Sequence, residues 1–118
     1  MPSTKPLSKP DHTNCRLRFG DWLLDTASHT LRHGDGHTAV LGTTAMALLE
    51  FFATHPQTPL SREQLSAVLD REYIAYDRLI DVLVSQIRRT LGRPAGGAAY
   101  IRTLRSVGYV FIAPVVKV

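Results

Sequence analysis

Disulfides, membrane spans and secretion signals find little support in this sequence of 118 residues. The presence of one cysteine, Cys15, excludes an internal disulfide. No apolar run approaches the roughly 20 residues needed to cross a bilayer, and the N-terminus lacks a hydrophobic secretory core. We therefore expect a soluble cytoplasmic protein whose length suits a single domain.

Recognisable catalytic motifs are also missing. The sequence contains neither a Walker-type loop nor a GxGxxG motif, and no serine, histidine and acid fall into a nucleophile motif. We therefore expect no enzyme and no cofactor. His33 and His37 could face each other across a turn, but the sequence offers no obvious third ligand, so no metal site is predicted.

Acidic residues end at Asp81. Residues 82–118 carry six basic and no acidic side chains and sum to +6, whereas residues 1–81 hold eight basic and ten acidic side chains and sum to −2. The net charge of +4 therefore conceals a strong polarity along the chain. A basic C-terminal third favours a polyanionic partner.

The chain divides into a polar tail and one domain. Residues 1–14, which hold three prolines and few large apolar groups, are predicted to be a flexible tail or linker. In the domain, residues 15–118, short apolar runs at 16–19, 22–25, 29–33 and 37–41 alternate with Gly/Asp turn signals. This pattern predicts four antiparallel strands.

Three helices and a hairpin follow. Residues 44–55 have helical spacing, Ser61 and Gln64 form a capping-box motif, and Asp77 is a plausible cap for the third helix. That helix should bury Ile80, Val84, Ile87 and Leu91. Residues 101–103 and 109–111 alternate well enough to predict paired strands, with Gly108 permitting a positive φ and Arg105 at the tip.

The outer face of the third helix suits the major groove of DNA, which admits one helix. Gln86 could contact adenine and Val82 a thymine methyl group. Arginines suit phosphates, and Arg105 on the hairpin suits a narrow minor groove. The residues predicted on or beside this face are Arg78, Val82, Ser85, Gln86, Arg88 and Arg89.

From Leu17 to Ile112 the chain resembles the C-terminal effector domain of OmpR/PhoB-type response regulators. The matching segments are LSREQL, DRLIDVLVSQIRRTLG and YIRTLRSVGYVF, in the expected order and spacing. The resemblance implies an α+β winged helix-turn-helix with an N-terminal four-stranded antiparallel sheet, three helices and a C-terminal hairpin wing. It also implies sequence-specific binding of double-stranded DNA and regulation of bacterial transcription, in the cytoplasm at the nucleoid.

The resemblance assigns roles to particular residues. Val82, Gln86 and Arg105 would contact bases. The loop 70–76, including Arg71, Glu72 and Tyr73, would face RNA polymerase, and a second copy would bind head to tail on direct-repeat half-sites. By the resemblance, backbone contacts would come from Arg62, Arg78, Arg88 and Thr103. The outer face of the third helix adds Ser85 and Arg89 to these predicted contacts.

Several residues depart from the family pattern, namely Ala45, Asp70, Leu83, Gln86 and Val110, and they leave the base preference open. No receiver domain lies within the sequence. The chain could be the effector part of a longer regulator, a single-domain relative, or the cytoplasmic part of a membrane-anchored regulator. An alternative is a winged-helix module that binds proteins and antagonises a related regulator.

Overall fold

The computed structural model describes residues 15–70, 78–94 and 99–118. The predicted tail, residues 1–14, lies outside the described residues, as does the proposed helix cap Asp77. No helix in the described part of the chain is long and apolar enough to span a membrane.

The N-terminal sheet contains the four predicted strands, β1 (Arg16–Phe19), β2 (Trp22–Asp25), β3 (Thr30–His33) and β4 (Thr38–Ala39), in antiparallel order. The fourth strand is shorter than predicted, because Val40 is 89% exposed and lies beyond the last sheet pairing. A fifth strand, β8 (Val116–Lys117), pairs with β1 through Leu17 and Lys117. The sequence did not predict it, since two residues carry no recognisable period.

The three predicted helices are α1 (Thr43–Thr54), α2 (Arg62–Val68) and α3 (Leu79–Leu91). The capping box of α2 is confirmed: the Gln64 amide donates to Ser61 Oγ at 3.0 Å, and the Ser61 amide donates to Gln64 Oε1 at 2.8 Å. The residue preceding α3 is Arg78, whose side chain makes no capping bond.

The core lies between the N-terminal sheet, the helices and the wing. All four residues predicted on the inner face of α3 are buried, and Leu83 widens that face. In α2 the predicted inner residue Leu65 is fully buried, whereas Val68 and Leu69 are half-buried. The largest fully buried side chains are Phe19, Leu24, Leu31, Leu48, Leu49, Phe52, Leu65, Ile87, Ile101 and Phe111.

The wing is a three-stranded sheet rather than a hairpin alone. Strands β6 (Ile101–Leu104) and β7 (Gly108–Phe111) pair as predicted, and β5 (Leu60–Ser61) pairs with the other edge of β7. All four residues of β7 are buried, so the alternation predicted for this strand is wrong. The physical reason is that β7 lies between β5 and β6 in the sheet, and the guanidinium groups of Arg62 and Arg88 cover the ring of its Tyr109.

The predicted fold class is confirmed. Mixed α and β elements form antiparallel sheets, three helices and a C-terminal wing, which together make a winged helix-turn-helix. Helix α3 and the wing are the elements that position the predicted site.

Candidate nucleic-acid interface

The outer face of α3 is exposed as the helical spacing predicted. Arg78, Ser85, Gln86 and Arg89 are all solvent-accessible, and Val82 is 49% exposed although it is apolar. The ion pairs among the described residues do not involve Arg89. The face therefore offers a cation, an amide and a methyl-bearing side chain to a partner.

Arg88 joins α3 to the wing. Its Nη2 donates to the Ile101 carbonyl oxygen at 3.0 Å and to Thr103 Oγ1 at 2.8 Å. Its guanidinium also lies 5.6 Å from the centre of the Tyr109 ring, within cation–π range. Arg88 and Thr103, which are two of the residues predicted to contact the DNA backbone, are thus held together before any partner binds.

A second polar cluster ties α2 to α3 and the wing. Arg62 Nε donates to Asp81 Oδ1 at 2.9 Å, and the hydroxyl of Tyr109 donates to the same carboxylate. The Arg62 guanidinium lies 5.1 Å from the Tyr109 ring centre. Arg62 and Asp81 side chains keep only 30% and 29% of their surface exposed, so water screens this pair incompletely.

The cluster alters how its members ionise. Burial alone would raise the pKa of the Asp81 carboxyl, but hydrogen bonds from Tyr109 and Arg62 outweigh burial and lower it overall. Burial raises the pKa of Tyr109, and its bond to Asp81 raises it further. The only acidic residue of α3 is therefore ionised and compensated by Arg62, which leaves the outer face effectively cationic.

The sequence did not reveal this cluster. Asp81 counted only as the last acidic residue of the chain, and Tyr109 only as a strand residue. The two are separated by 28 positions, and no local spacing signals that they meet. One signal was present in the sequence: a tyrosine in a predicted strand has a hydroxyl that needs a hydrogen-bond partner if it is buried.

The wing tip presents Arg105 as predicted. The turn between β6 and β7 closes through a bond from the Val107 amide to the Leu104 carbonyl at 3.0 Å. A positive φ was predicted at Gly108, but Ser106 at the tip also has one, of 66°. Gly108 has a positive φ of 152°. Arg105 and the neighbouring Arg102 are exposed.

The C-terminal end of α3 is anchored to the N-terminal sheet. The buried indole of Trp22 donates from Nε1 to the Leu91 carbonyl oxygen at 3.0 Å. This bond satisfies one of the carbonyls that a helix end leaves unpaired. Helix α3 is thus held at both its wing side and its C-terminus, while Arg71, Glu72 and Tyr73 lie outside the described residues.

Comparison with known proteins places this geometry in a family. Residues 36–111 match the family model described as transcriptional regulatory protein, C terminal. The chain is 39% identical over 100 residues to the transcriptional regulatory protein GltR of Pseudomonas aeruginosa, covering 84% of this chain and 41% of GltR. It is 39% identical over 98 residues to the regulatory protein VirG of Rhizobium rhizogenes, covering 82% and 41%.

Solved structures agree. The DNA-binding domain of CpxR from E. coli superposes with a TM-score of 0.76 at 32% identity, covering 82% of this chain and 95% of that one. The Klebsiella pneumoniae RstA DNA-binding domain, solved in complex with the RstA box, gives 0.72 at 30% identity, covering 82% and 96%.

The chain spans about two fifths of the length of these curated regulators but nearly the whole of the solved DNA-binding domains. The resemblance predicted from three sequence segments is confirmed by the family model, the relatives and the fold. The chain belongs to the family of C-terminal domains of transcriptional regulatory proteins, the winged-helix effector domains of the OmpR/PhoB type.

Proposed function

We propose that this chain binds double-stranded DNA with sequence specificity and regulates bacterial transcription, as the effector domain of a two-component-type response regulator or as a single-domain relative. The observation that carries the proposal is the exposed outer face of α3, which Arg88 joins directly to the wing. A helix and a wing held in one orientation can enter adjacent grooves of one duplex without first reorganising.

Helix α3 enters the major groove in this proposal. Gln86 and Val82 face base edges, where an amide can contact adenine and a valine the thymine methyl group. Ser85, Arg78 and Arg89 flank them and contact the backbone, which positions the helix without reading sequence.

Arg62 and Arg88 contact phosphates from positions that are already ordered. A guanidinium has five N–H donors. Among the residues that the structure describes, Arg88 donates from its Nη2, and its other nitrogens carry donors that suit a phosphate. Prior ordering lowers the conformational entropy lost on binding.

The wing tip reaches the neighbouring minor groove through Arg105. Exposure of this side chain at the end of a two-stranded projection supports the role. A narrow minor groove over A·T-rich sequence attracts arginine through its enhanced negative potential.

The proposal of further binding partners is based on the relatives, which are named as regulatory proteins. We infer direct-repeat half-sites, a second copy bound head to tail, and contact with RNA polymerase through the loop 70–76, including Arg71, Glu72 and Tyr73. Binding to chromosomal DNA would place the protein in the cytoplasm at the nucleoid.

Selection from a randomised duplex library at moderate salt tests the proposal. We expect an enriched motif, repeated at about one helical turn. Gln86→Ala should change the preferred base at one position, with a loss of about 1–3 kcal/mol at the original site. Arg89→Ala should weaken binding to all sequences alike.

Other outcomes would overturn parts of the proposal. Retention without enrichment would leave a basic domain that binds only the DNA backbone. No retention by the folded protein would instead favour the winged-helix module that binds a protein and antagonises a related regulator.

A further inference from the structure

The turn between β3 and β4 gathers two histidines and an aspartate. Nitrogen and oxygen atoms of His33, Asp35 and His37 able to serve as ligands all lie within 4.8 Å of one another. His37 Nδ1 lies 2.6 Å and His33 Nδ1 lies 3.3 Å from Asp35 Oδ1. The two imidazole rings stack with centres 5.2 Å apart.

The backbone of the turn brings these side chains to one side. The His33 amide donates to the His37 carbonyl at 2.8 Å, and the Gly36 amide donates to the His33 carbonyl at 2.9 Å. The His37 amide donates to Asp35 Oδ1 at 3.0 Å. The sequence alone left the histidine pair without a third ligand, because Asp35 was interpreted as a turn residue.

Two imidazole nitrogens and a carboxylate oxygen are ligands that late first-row divalent metals accept. Bonds of roughly 2.0–2.2 Å place neighbouring ligand atoms about 3.0–3.5 Å apart. The separation between His33 Nδ1 and Asp35 Oδ1 already falls in that range. Coordination by this nitrogen would replace the hydrogen bond that it accepts from the Asp35 amide at 3.2 Å. The distance between His37 Nδ1 and Asp35 Oδ1 is shorter and must increase by less than about 1 Å for both atoms to bind one ion. Both side chains are exposed and can make this movement.

We propose that His33, Asp35 and His37 together bind one divalent transition metal ion of the Zn²⁺, Ni²⁺ or Cu²⁺ class, with water completing the coordination. The site is distinct from the proposed DNA-binding face. It lies against Trp22, whose ring centre is 4.8 Å from that of His33 and 5.7 Å from that of His37.

Trp22 makes the site directly observable, since it is the chain's one tryptophan. Titration of the untagged 118-residue chain with Cu²⁺ should quench Trp22 fluorescence and saturate at one ion per chain. Zn²⁺ should compete with Cu²⁺, which binds more tightly in the usual order of affinities. Mg²⁺, which prefers oxygen ligands, should not compete.

Variants separate this site from general histidine binding. His37→Ala and Asp35→Asn should each raise the Cu²⁺ concentration at half-quenching by at least about 10-fold. Loss of a residue that only hydrogen-bonds to a metal ligand already lowers metal affinity by about 10-fold or more, so loss of a ligand should do at least as much. His29→Ala removes another exposed histidine, which pairs with Glu50, and should leave the titration unchanged. Circular dichroism confirms that each variant is folded.

Two results would overturn the proposal. Quenching that rises without saturation would indicate collisional contact rather than a site. Equal half-quenching in the unaltered protein and in both His37→Ala and Asp35→Asn would show that these side chains do not hold the ion.

Discussion

At the scale of single residues, the interface depends on side chains that bind each other before they bind DNA. Arg62 is committed to Asp81, and Arg88 to the wing strand β6. Hydrogen bonds to charged groups contribute about 1.5–3 kcal/mol to stability. Removing one partner lowers stability by more than the bond contributes, because the other partner is left without a hydrogen bond. These arginines therefore connect the stability of the fold to the position of the predicted DNA contacts.

Asp81→Asn should lower the free energy of unfolding at pH 7 by about 1–3 kcal/mol, because the charged acceptor of Arg62 and Tyr109 is lost. The native pKa of Asp81 is lowered, so its contribution is complete above the unfolded value of about 3.9 and is lost as the pH falls through the native pKa. Urea unfolding at pH 7 and at successively lower pH measures the difference.

The matched control for this variant is Asp25→Asn. The Asp25 side chain is 27% exposed, similar to Asp81, but it pairs at 3.8 Å with an arginine that is 65% exposed. Such a long pair contributes about 0–1 kcal/mol. The bond that Asp25 Oδ1 accepts from the Ala27 amide at 2.9 Å can be kept by asparagine. A loss for Asp81→Asn no larger than the control's, or one that persists unchanged in acid, would contradict the role assigned to the carboxylate.

At the scale of elements, the wing depends on how closely β5 approaches β7. Gly108 pairs with Ser61 on one side and with Leu104 on the other. A Cβ added at Gly108 would overlap the Leu60 carbonyl oxygen and crowd Ser61 Cα. Because these are backbone atoms, no side-chain rotation relieves the overlap.

Gly108→Ala should lower the free energy of unfolding by at least about 3 kcal/mol, since overpacking of about 1–3 kcal/mol adds to backbone strain of similar size. Gly36→Ala isolates the strain: its φ is 101°, but nothing lies within 4 Å of an added Cβ. That control should lose about 1–2 kcal/mol. Thermal and urea unfolding of both variants provide the comparison, and equal losses would contradict the predicted overlap.

At the scale of the whole molecule, positive charge is concentrated in the C-terminal third of the sequence. The acid-free segment 82–118 supplies most of α3, strands β6 and β7 of the wing, and the last strand. The proposed backbone and groove contacts include five arginines: Arg62, Arg78, Arg88, Arg89 and Arg105. Neutralised phosphates release bound counterions, so affinity for DNA should fall steeply with salt.

With about five phosphate contacts, the logarithm of affinity plotted against the logarithm of salt concentration should have a slope of roughly −4 to −5. Arg89→Ala should make it less steep by about 1. Arg32→Ala, on the exposed surface of β3, should leave it unchanged. Fluorescence anisotropy with a labelled duplex measures all three, and a slope near zero would contradict the electrostatic account.

Local sequence patterns were enough to predict the helices, most of the N-terminal sheet and the inner face of α3. Apolar spacing places Ile80, Val84 and Ile87 on one side of any helix that forms there, and the bond between Ser61 and Gln64 is likewise local. The exposure of Gln86 and Arg89 follows from the same period. Their contacts with DNA stay predictions.

The remaining features depend on contacts between residues far apart in the sequence. Strands β5 and β8 have two residues each, which is too short for a periodic pattern to be recognised. They form because β5 pairs with the edge of β7 and β8 with the edge of β1. Asp81 and Tyr109 meet across 28 positions, and Asp35 turns towards His33 and His37 only in the folded turn. Local spacing encodes which face of an element is apolar, whereas the partners of a polar side chain are set by how the elements pack.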